Sequence, residues 1–251
     1  MNHIVPVSGG KDSTATAVGL NEFEPRPYQY VFTPTGNELP EVYDHIKKLE
    51  DVLNATIQIV TSGKSLQGLI RKYNALPNWR QRWCTRELKI EVFNSYLKEH
   101  SPAISYVGLR ADEPESVRRG MVLGNVEGIT QRYPLREWGW GINEVWDYLD
   151  VKGITIPERT DCAWCFFQRG AEWWRLWKNH PETYAQAEQQ EELTGYTFRS
   201  PGGHKDRHPV SLKDLRIAFE NGTVPKGALP KNSDQLALFD TRQFMCRACS
   251  L

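Results

Sequence analysis

The sequence lacks any long hydrophobic run, and none reaches the eighteen or so apolar residues that a membrane-spanning helix requires. It also lacks net charge, because 31 Lys and Arg residues balance 31 Asp and Glu residues. This balance excludes a general electrostatic attraction to nucleic acids or membranes, so any nucleic-acid contact is expected to be local. The first residues show no charged segment followed by an apolar one, as a secretion leader would. We therefore expect a soluble, cytoplasmic protein that does not bind membranes.

Cysteine is scarce, and the five cysteines present do not have the density of a disulfide framework. Four of them form two C-x-x-C pairs, Cys162 with Cys165 and Cys246 with Cys249, and the fifth is Cys84. In a cytosolic chain, this spacing indicates metal binding or redox chemistry rather than disulfide formation.

The length of 251 residues fits one α/β domain with a smaller appendage. Short apolar segments predict strands at Ile4–Val7, Tyr28–Phe32, Thr56–Val60 and Ile104–Val107. Apolar residues at helical spacing lie between them, over Gly10–Leu20, Glu41–Leu53, Leu66–Tyr73 and Glu87–Leu97. This alternation predicts a doubly wound parallel sheet, which binds ligands at the carboxyl ends of its strands. We expect a nucleotide-binding domain over residues 1–150 and a smaller, mainly helical, cysteine-containing region over residues 151–251.

The first predicted strand runs directly into a glycine pair surrounded by polar residues: Ser8, Gly9, Gly10, Lys11, Asp12, Ser13 and Thr14. Paired glycines let the backbone turn tightly and present its N–H groups, and the following helix directs its positive end at the same place. Such polar side chains are costly to bury unless something binds them, which favours a phosphate site over a plain turn. The order differs from the Gly-x-x-x-x-Gly-Lys-Ser/Thr loop, so the γ-phosphate chemistry of that class is not implied.

Polar residues also follow the second predicted strand, where Gly36, Asn37 and Glu38 occur in a turn. The turn explains Gly36 but does not require the other two side chains. Asn37 and Glu38 either cap the turn and the following helix or contact a ribose, an adenine or a metal ion, and both interpretations remain open.

A third polar segment follows the fourth predicted strand. It begins with Gly108 and contains Arg110, Arg118 and Arg119 among several acidic residues. Planar guanidinium groups suit phosphate or sulfate, and nearby carboxylates can hold them in place. The alternative is a solvated loop of balanced charge. We select Arg110 as the candidate functional residue of this segment.

The order of these motifs resembles that of the phosphoadenosine phosphosulfate (PAPS) reductase family of adenine-nucleotide α-hydrolases. The loop itself resembles the pyrophosphate-binding loop (PP-loop) of the N-type ATP pyrophosphatases. Further segments also resemble the family: residues 81–89 its Arg-Cys-Cys-x-x-x-Lys segment, residues 133–149 its Pro-Leu-x-x-Trp segment, and residues 161–165 its later C-x-x-C. The resemblance covers residues 4 to about 190 and implies a Rossmann-like domain of the adenine-nucleotide α-hydrolase type.

The sequence departs from the reductases of that family in three places. Ser-Gly-Gly-Lys-Asp-Ser replaces their Ser-x-Gly-Lys-Glu, Thr85 stands where their second cysteine would be, and the Glu-Cys-Gly-x-His tail is missing. The pattern is more similar to the sulfur-transfer branch, which includes the cluster-bearing enzyme of bacterial DNA phosphorothioation and resembles the transfer-RNA thiolases in chemistry.

The resemblance therefore implies an ATP-dependent, adenylating and pyrophosphate-releasing sulfurtransferase. Lys11, Asp12, Arg110 and Cys84 would be its catalytic residues, and Asp12 and Glu38 would hold Mg²⁺. The acceptor would be a nucleic acid, with a protein as a candidate sulfur donor. One alternative is a PAPS reductase in which Cys249 attacks sulfur. The other is a zinc-stabilised nucleotide-binding subunit without catalysis.

The same resemblance places Cys84 on the same side of the nucleotide site as Cys162 and Cys165. Three thiolates leave a metal shell incomplete, and Cys246 or Cys249 would supply the fourth ligand of a 4Fe-4S cluster or a zinc ion. Alternatively, one iron stays open for sulfide. The competing zinc arrangement joins the two C-x-x-C pairs and does not use Cys84, so Cys84 distinguishes the two.

Overall fold

The computed structural model describes residues 1–114, 126–200 and 208–229. Arg118, Arg119, Cys246 and Cys249, which the sequence analysis singled out, lie outside this part of the chain. The described residues form two compact units. The first contains Met1–Lys64 and the described part of Thr85–Asp161, and the second contains Ser65–Cys84 and the described part of Cys162–Asp240.

This division differs from the expected boundary at residue 150. The chain passes to the second unit after Asp161, and Ser65–Cys84, expected within the first domain, belongs to the second unit. Apolar spacing along one helix shows that the helix has a buried face, but it does not show which element covers that face.

A five-stranded parallel sheet organises the first unit, in the order β3-β2-β1-β4-β5. The strands are β1 (Asn2–Val7), β2 (Tyr28–Phe32), β3 (Ile57–Ile59), β4 (Ala103–Tyr106) and β5 (Ile129–Arg132). The predicted doubly wound parallel sheet is thus confirmed. The sequence analysis missed β5, because its Ile-Thr-Gln-Arg sequence has a single apolar residue, as an edge strand permits.

Helices surround this sheet and build the second unit. In the first unit they are α1 (Lys11–Phe23), α2 (Pro40–Leu53), a π-helical turn (Arg86–Ile90), α5 (Glu91–Glu99), α6 (Pro134–Glu137) and α7 (Ile142–Val151). The second unit contains α3 (Leu66–Tyr73), α8 (Gly170–Asn179), α9 (Pro181–Thr194) and α10 (Leu212–Glu220), and the short helix α4 covers Trp83–Thr85. Across the described residues, no helix combines the length and the apolar character needed to cross a membrane.

The sheet is buried on both faces, as parallel sheets are. Val5 and Val7 of β1 point to one face, where they pack in a cluster with apolar residues of α1 and α2. Ile4 points to the other face and packs with Phe93 and Leu97 of α5. The period-two alternation of β1 therefore fixes the loop at its end relative to helices on both sides.

The strand order locates the ligand crevice of such a fold. The chain runs from β1 outward to β2 and β3, then returns to the other side of β1 to form β4. Ligands of open α/β sheets bind where the strand order reverses, beyond the carboxyl ends of the strands. Residues 8–14 after β1 and residues 107–113 after β4 flank this point.

The second unit contains a buried carboxylate that joins three of its segments. Glu191 of α9 accepts hydrogen bonds from the backbone N–H groups of Phe198, at 2.8 Å, and Leu212, at 2.6 Å. Burial raises the pKa of Glu191 to about 7, against the opposing effect of these two N–H groups; Glu188 raises it further and Arg199 lowers it.

We expect this group to make stability depend on pH. Its folded pKa of about 7 lies above the ordinary value of 4.5, so its stabilising contribution is complete below pH 4.5 and is lost as the pH rises through 7. Between pH 5 and pH 8, ionisation of Glu191 should lower the unfolding free energy of the wild type by about 3 kcal/mol. Glu191→Gln does not titrate, so its unfolding free energy should lack this decrease. Urea unfolding at the two pH values measures this difference. The exposed Glu192→Gln is the control, and equal pH slopes in wild type and Glu191→Gln would refute the prediction.

Candidate functional site

The loop after β1 has the backbone form that an anion site requires. Gly9 has φ +78°, and a Cβ there would lie 3.2 Å from Cγ1 of Val42, so glycine alone fits without strain. Gly10 stands directly before α1 in an extended conformation and provides no side-chain cap. The first N–H groups of α1 thus keep their capacity to bind an anion from the loop.

Hydroxyl groups hold the loop together from inside. The Ser13 hydroxyl accepts a hydrogen bond from the Ser8 backbone N–H at 3.1 Å and donates one to the Gly10 carbonyl oxygen at 3.0 Å. The two serine Oγ atoms also lie 3.0 Å apart. Ser8 and Ser13, predicted as phosphate ligands, therefore also fix the loop's shape.

The charged residues of the loop form a buried cluster with Arg110. Lys11 is only 4% exposed, and its Nζ lies 3.2 Å from Oδ2 of Asp12. Nη1 of Arg110 lies 3.0 Å from the same oxygen. The structure thus brings together three of the four residues predicted to be catalytic.

The second carboxylate oxygen of Asp12 marks a place for a ligand. Oδ1 of Asp12 is buried and has no hydrogen-bond partner. An unsatisfied buried carboxylate oxygen is costly, and Mg²⁺ binds through oxygen ligands of this kind. Asp12 therefore fits the predicted magnesium ion.

Arg110 forms ion pairs with several carboxylates. It is buried, with Nε 2.9 Å from Oδ1 of Asp112 and Nη1 3.7 Å from Oε1 of Glu113. Burial disfavours its charge, but Asp12, Glu113 and Asp112 together raise the pKa of the guanidinium above its ordinary value. Its direct partners are these acids, so it serves as the counter-ion that orients Asp12. Contact with AMP or with the acceptor stays a prediction.

Gly108 permits the end of β4 to approach α1 closely. A Cβ at this position would lie 2.9 Å from the Asp12 carbonyl oxygen and 2.9 Å from Oγ1 of Thr16. Thr16 in turn donates its hydroxyl proton to the Asp12 carbonyl oxygen at 2.7 Å. Gly108, predicted to bind the nucleotide, thus has a packing role that positions the loop.

We expect Gly108→Ala to displace the first turn of α1 and to weaken both stability and the ATP turnover that the sequence predicts. The two 2.9 Å contacts are overpacking, which costs about 1–3 kcal/mol. Thermal unfolding and steady-state pyrophosphate release measure the two effects. Gly153→Ala is the control for backbone strain without crowding: Gly153 has a positive φ, which Gly108 lacks, and a Cβ there has no neighbour within 4 Å, so this change should cost stability and leave the loop undisturbed. A Gly108→Ala protein with wild-type turnover would contradict this packing role.

The Glu38 carboxylate hydrogen-bonds within the turn that carries it. Its carboxylate accepts hydrogen bonds from the Thr35 N–H at 2.8 Å, the Thr35 hydroxyl at 2.8 Å and the Asn37 N–H at 3.2 Å. Gly36 supplies the positive φ of this turn, +75°. These bonds favour the capping interpretation of Glu38 and give no support to a metal-binding one.

His45 is a site residue that the sequence analysis missed. Its Nε2 lies 3.1 Å from the Thr14 hydroxyl, and its ring is close to Gly9. Burial lowers the pKa of His45 to about 4, so the imidazole is neutral at pH 7. The available signal was a polar residue within the buried stripe of α2, beside Val42 and Ile46.

Arg136 was missed as a positioning residue as well. Its Nη2 donates to the Glu113 carbonyl oxygen at 2.6 Å, and its Nε donates to the Arg110 carbonyl oxygen at 3.2 Å. Arg136 thereby holds the segment that carries Arg110. Its position in a conspicuous Pro-Leu-Arg motif gave no indication of these main-chain partners.

Three of the predicted metal ligands lie in the second unit. The Cys165 N–H donates to the Cys162 carbonyl oxygen at 3.1 Å, which closes the C-x-x-C turn. Arg82 lies among the thiols: burial lowers the pKa of Arg82, and Cys84 and Cys165 act in the opposite direction.

The part of the chain that the structure describes contains no group of three or more His, Cys, Asp or Glu side chains arranged to hold a metal ion. Cys84, Cys162 and Cys165 by themselves therefore do not fit a metal site. Since Cys246 and Cys249 lie outside the described residues, the cluster and the zinc clip both stay predictions.

The fold and the loop define a doubly wound α/β protein with a glycine turn and an uncapped helix N-terminus at its switch point. Residues 2–160 match the family described as the phosphoadenosine phosphosulfate reductase domain. The chain belongs to this family, as its motifs predicted.

Similar curated proteins include PAPS reductases. That of Cronobacter sakazakii is 30% identical over 129 residues, 49% of this chain and 51% of that protein. That of Salmonella choleraesuis is 26% identical over 157 residues, 61% of this chain and 62% of that protein. An uncharacterized protein of Methanocaldococcus jannaschii is 26% identical over 149 residues, 58% of this chain and 31% of that protein. The chain thus spans less than two thirds of the length of these relatives.

Two solved structures are also similar. The PAPS reductase from Candida auris, in a phosphate complex, has a TM-score of 0.49 and 19% identity, covering 63% of this chain and 76% of that one. The U34-tRNA thiolase NcsA from Methanococcus maripaludis, with its 4Fe-4S cluster, has a TM-score of 0.49 and 15% identity, covering 90% of this chain and 83% of that one.

Proposed function

We propose that this protein splits ATP between its α and β phosphates, adenylates an acceptor, and lets sulfur displace the AMP. One observation carries the proposal: Oδ1 of Asp12 is buried without a hydrogen-bond partner, beside Lys11 and at an uncapped helix N-terminus. Such a place suits a magnesium-bound polyphosphate, whose charge both the lysine and the helix end favour.

The residues divide the work of the adenylation step. The pyrophosphate lies over the backbone of Gly9 and Gly10 with Lys11 beside it, and Mg²⁺ bound through Asp12 would supply further neutralisation of the leaving charge. An oxygen of the acceptor attacks the α-phosphorus, the bond to the bridging oxygen breaks, and pyrophosphate departs with the electron pair. Positioning and charge neutralisation supply most of the catalysis in such a transfer.

Sulfur enters in the second step. A hydrosulfide ion released by a donor protein attacks the acceptor carbon that carries the adenylated oxygen, and its remaining proton is lost to water. The carbon–oxygen bond breaks, and AMP leaves with that oxygen. Cys84, Cys162 and Cys165 are the candidate thiols for presenting the sulfur, and a nucleic acid is the proposed acceptor. A cytoplasmic location would keep these thiols reduced.

Product analysis tests the first step. The protein, prepared without oxygen, is incubated with Mg²⁺, ATP and bulk RNA or DNA, and the nucleotides are separated by anion exchange. We expect AMP and pyrophosphate in equal amounts, whereas ADP and phosphate would contradict the proposal.

The names of the relatives favour a second candidate, PAPS reduction. Sulfite formed from PAPS and a dithiol, without any ATP cleavage, would establish that candidate instead.

Metal analysis tests the cysteine predictions. We expect anaerobically purified protein to absorb broadly near 400 nm, with about four irons per chain, and Cys84→Ala to lose both. A colourless protein with about one zinc per chain, unchanged in Cys84→Ala, would contradict the cluster and support the zinc clip.

A further inference from the structure

We infer that Trp79 and Arg80, with Arg71, Lys72 and Tyr73, form a docking surface for single-stranded nucleic acid on the second unit. We call these five residues the aromatic–basic surface. The inference rests on the proposed function in one respect, since it identifies where a nucleic-acid acceptor binds.

Trp79 is unusual in its exposure. All nine tryptophans lie in the described residues, and Trp79 alone is exposed, with 58% of its surface accessible. The indole is among the largest apolar side chains, and leaving it in water forgoes the stabilisation that burial would give. An indole in this position is suited to a partner that covers it.

A tight turn presents Trp79 at its tip. The Asn78 and Gln81 backbones exchange hydrogen bonds of 3.2 and 3.1 Å. The side-chain oxygen of Asn78 also accepts from the N–H groups of Arg80, at 2.9 Å, and Gln81, at 3.0 Å. A turn held by four hydrogen bonds is ordered before binding, which lowers the entropic cost of docking.

Basic charge accompanies the aromatic rings. Residues 65–84 contain four basic residues and no acidic one, in a chain whose net charge is zero. The Arg80 guanidinium lies 4.6 Å from the Trp79 ring centroid, and Lys72 Nζ lies 4.7 Å from that of Tyr73. Tyr73 is itself exposed, at the end of α3. This is the local basic contact that a chain of balanced charge needs to bind a polyanion.

The combination favours single strands over duplexes. Unpaired bases stack on aromatic rings and on arginine planes, while lysine and arginine side chains attract the phosphates between them. A duplex hides the base faces and would use the charges alone. An acidic peptide would likewise leave the exposed indole without a stacking partner.

The aromatic–basic surface is close in sequence to Cys84. Cys84 follows Trp79 by five residues. Even a fully extended chain of that length spans at most about 18 Å. A base stacked on Trp79 would therefore lie within a few nucleotides of the Cys84 thiol.

Fluorescence anisotropy of the full chain tests the surface. The probes are mixed-sequence RNA and DNA single strands of about 15 nucleotides and the corresponding DNA duplex, at about 50 mM salt and without ATP. We expect Trp79→Ala to weaken single-strand binding on the order of tenfold or more, and Trp79→Phe to retain most of it, because phenylalanine still stacks. Tighter binding of RNA or of DNA identifies which of the two is the ligand.

Tyr196→Ala is the matched control, since Tyr196 is an aromatic residue of the second unit with 59% exposure and lies outside the surface. It should bind the single strands as wild type does. Three results would each overturn the inference: no single-strand binding by the wild type, unchanged binding by Trp79→Ala, or displacement of the strands by poly-glutamate as readily as by unlabelled oligonucleotide. Because ATP is absent, failure here leaves the loop chemistry intact, and failure of ATP cleavage leaves this surface intact.

Discussion

Replacing Lys11 with alanine is expected to lower pyrophosphate release from ATP by about 100- to 1000-fold. The Lys11 side chain is buried, with its Nζ 3.2 Å from Oδ2 of Asp12, so its charge acts from a fixed position in a site that excludes water. Lys11→Arg should not restore the rate, because a planar guanidinium is larger than the buried ammonium group and spreads its charge over three nitrogens. Steady-state release of pyrophosphate measures the effect.

Lys152→Ala is the control for this change. Nζ of Lys152 lies 2.8 Å from Oε1 of Glu22 on an exposed surface, and its loss should leave turnover unchanged. Circular dichroism of the Lys11→Ala protein tests whether the fold persists. Full pyrophosphate release by a folded Lys11→Ala protein would refute the assignment of the loop.

Arg110→Ala is expected to destabilise the folded protein by about 3–5 kcal/mol and to abolish ATP binding. The change leaves Asp12 and Glu113 near one another without the buried guanidinium that neutralises them. Lys11 still pairs with Asp12, but the two carboxylates lose most of the positive charge beside them in a site where water solvates them poorly, so the loss is large. Urea unfolding measures the stability, and calorimetric titration measures the ATP affinity.

Arg132→Ala provides the comparison for Arg110. Arg132 pairs with Glu24 and Glu137, but its side chain is partly accessible to solvent. Pairs of this kind contribute about 1 kcal/mol or less. Equal losses from the two substitutions would contradict the buried role of Arg110.

The sequence predicted those features that local chemistry determines. The glycine pair after an apolar strand located the loop, and the helix Leu66–Tyr73 has the predicted bounds because its apolar stripe is unambiguous. Arg110 was selected for its position after β4, and it does reach Asp12. Each of these inferences needed only the neighbouring residues and the parallel order of the strands.

The features that sequence reasoning missed depend on contacts between distant segments. His45 matters because α2 brings it to Thr14, 31 positions earlier in the chain. Arg136 matters because it reaches carbonyl oxygens that carry no sequence signal. The sequence did not decide whether Glu38 caps its turn or binds a metal, because the same residue type at the same position can do either.

A calorimetric titration with ATP, AMP and PAPS, each with Mg²⁺, tests most directly whether the loop binds a polyphosphate. If the pyrophosphate lies against Lys11, Asp12 and the start of α1, ATP should bind at least about tenfold more tightly than AMP and more tightly than PAPS, since charge-assisted contacts contribute about 1.5 kcal/mol or more. Tighter binding of PAPS, with ATP no better than AMP, would contradict an ATP-splitting loop and indicate a sulfonucleotide site.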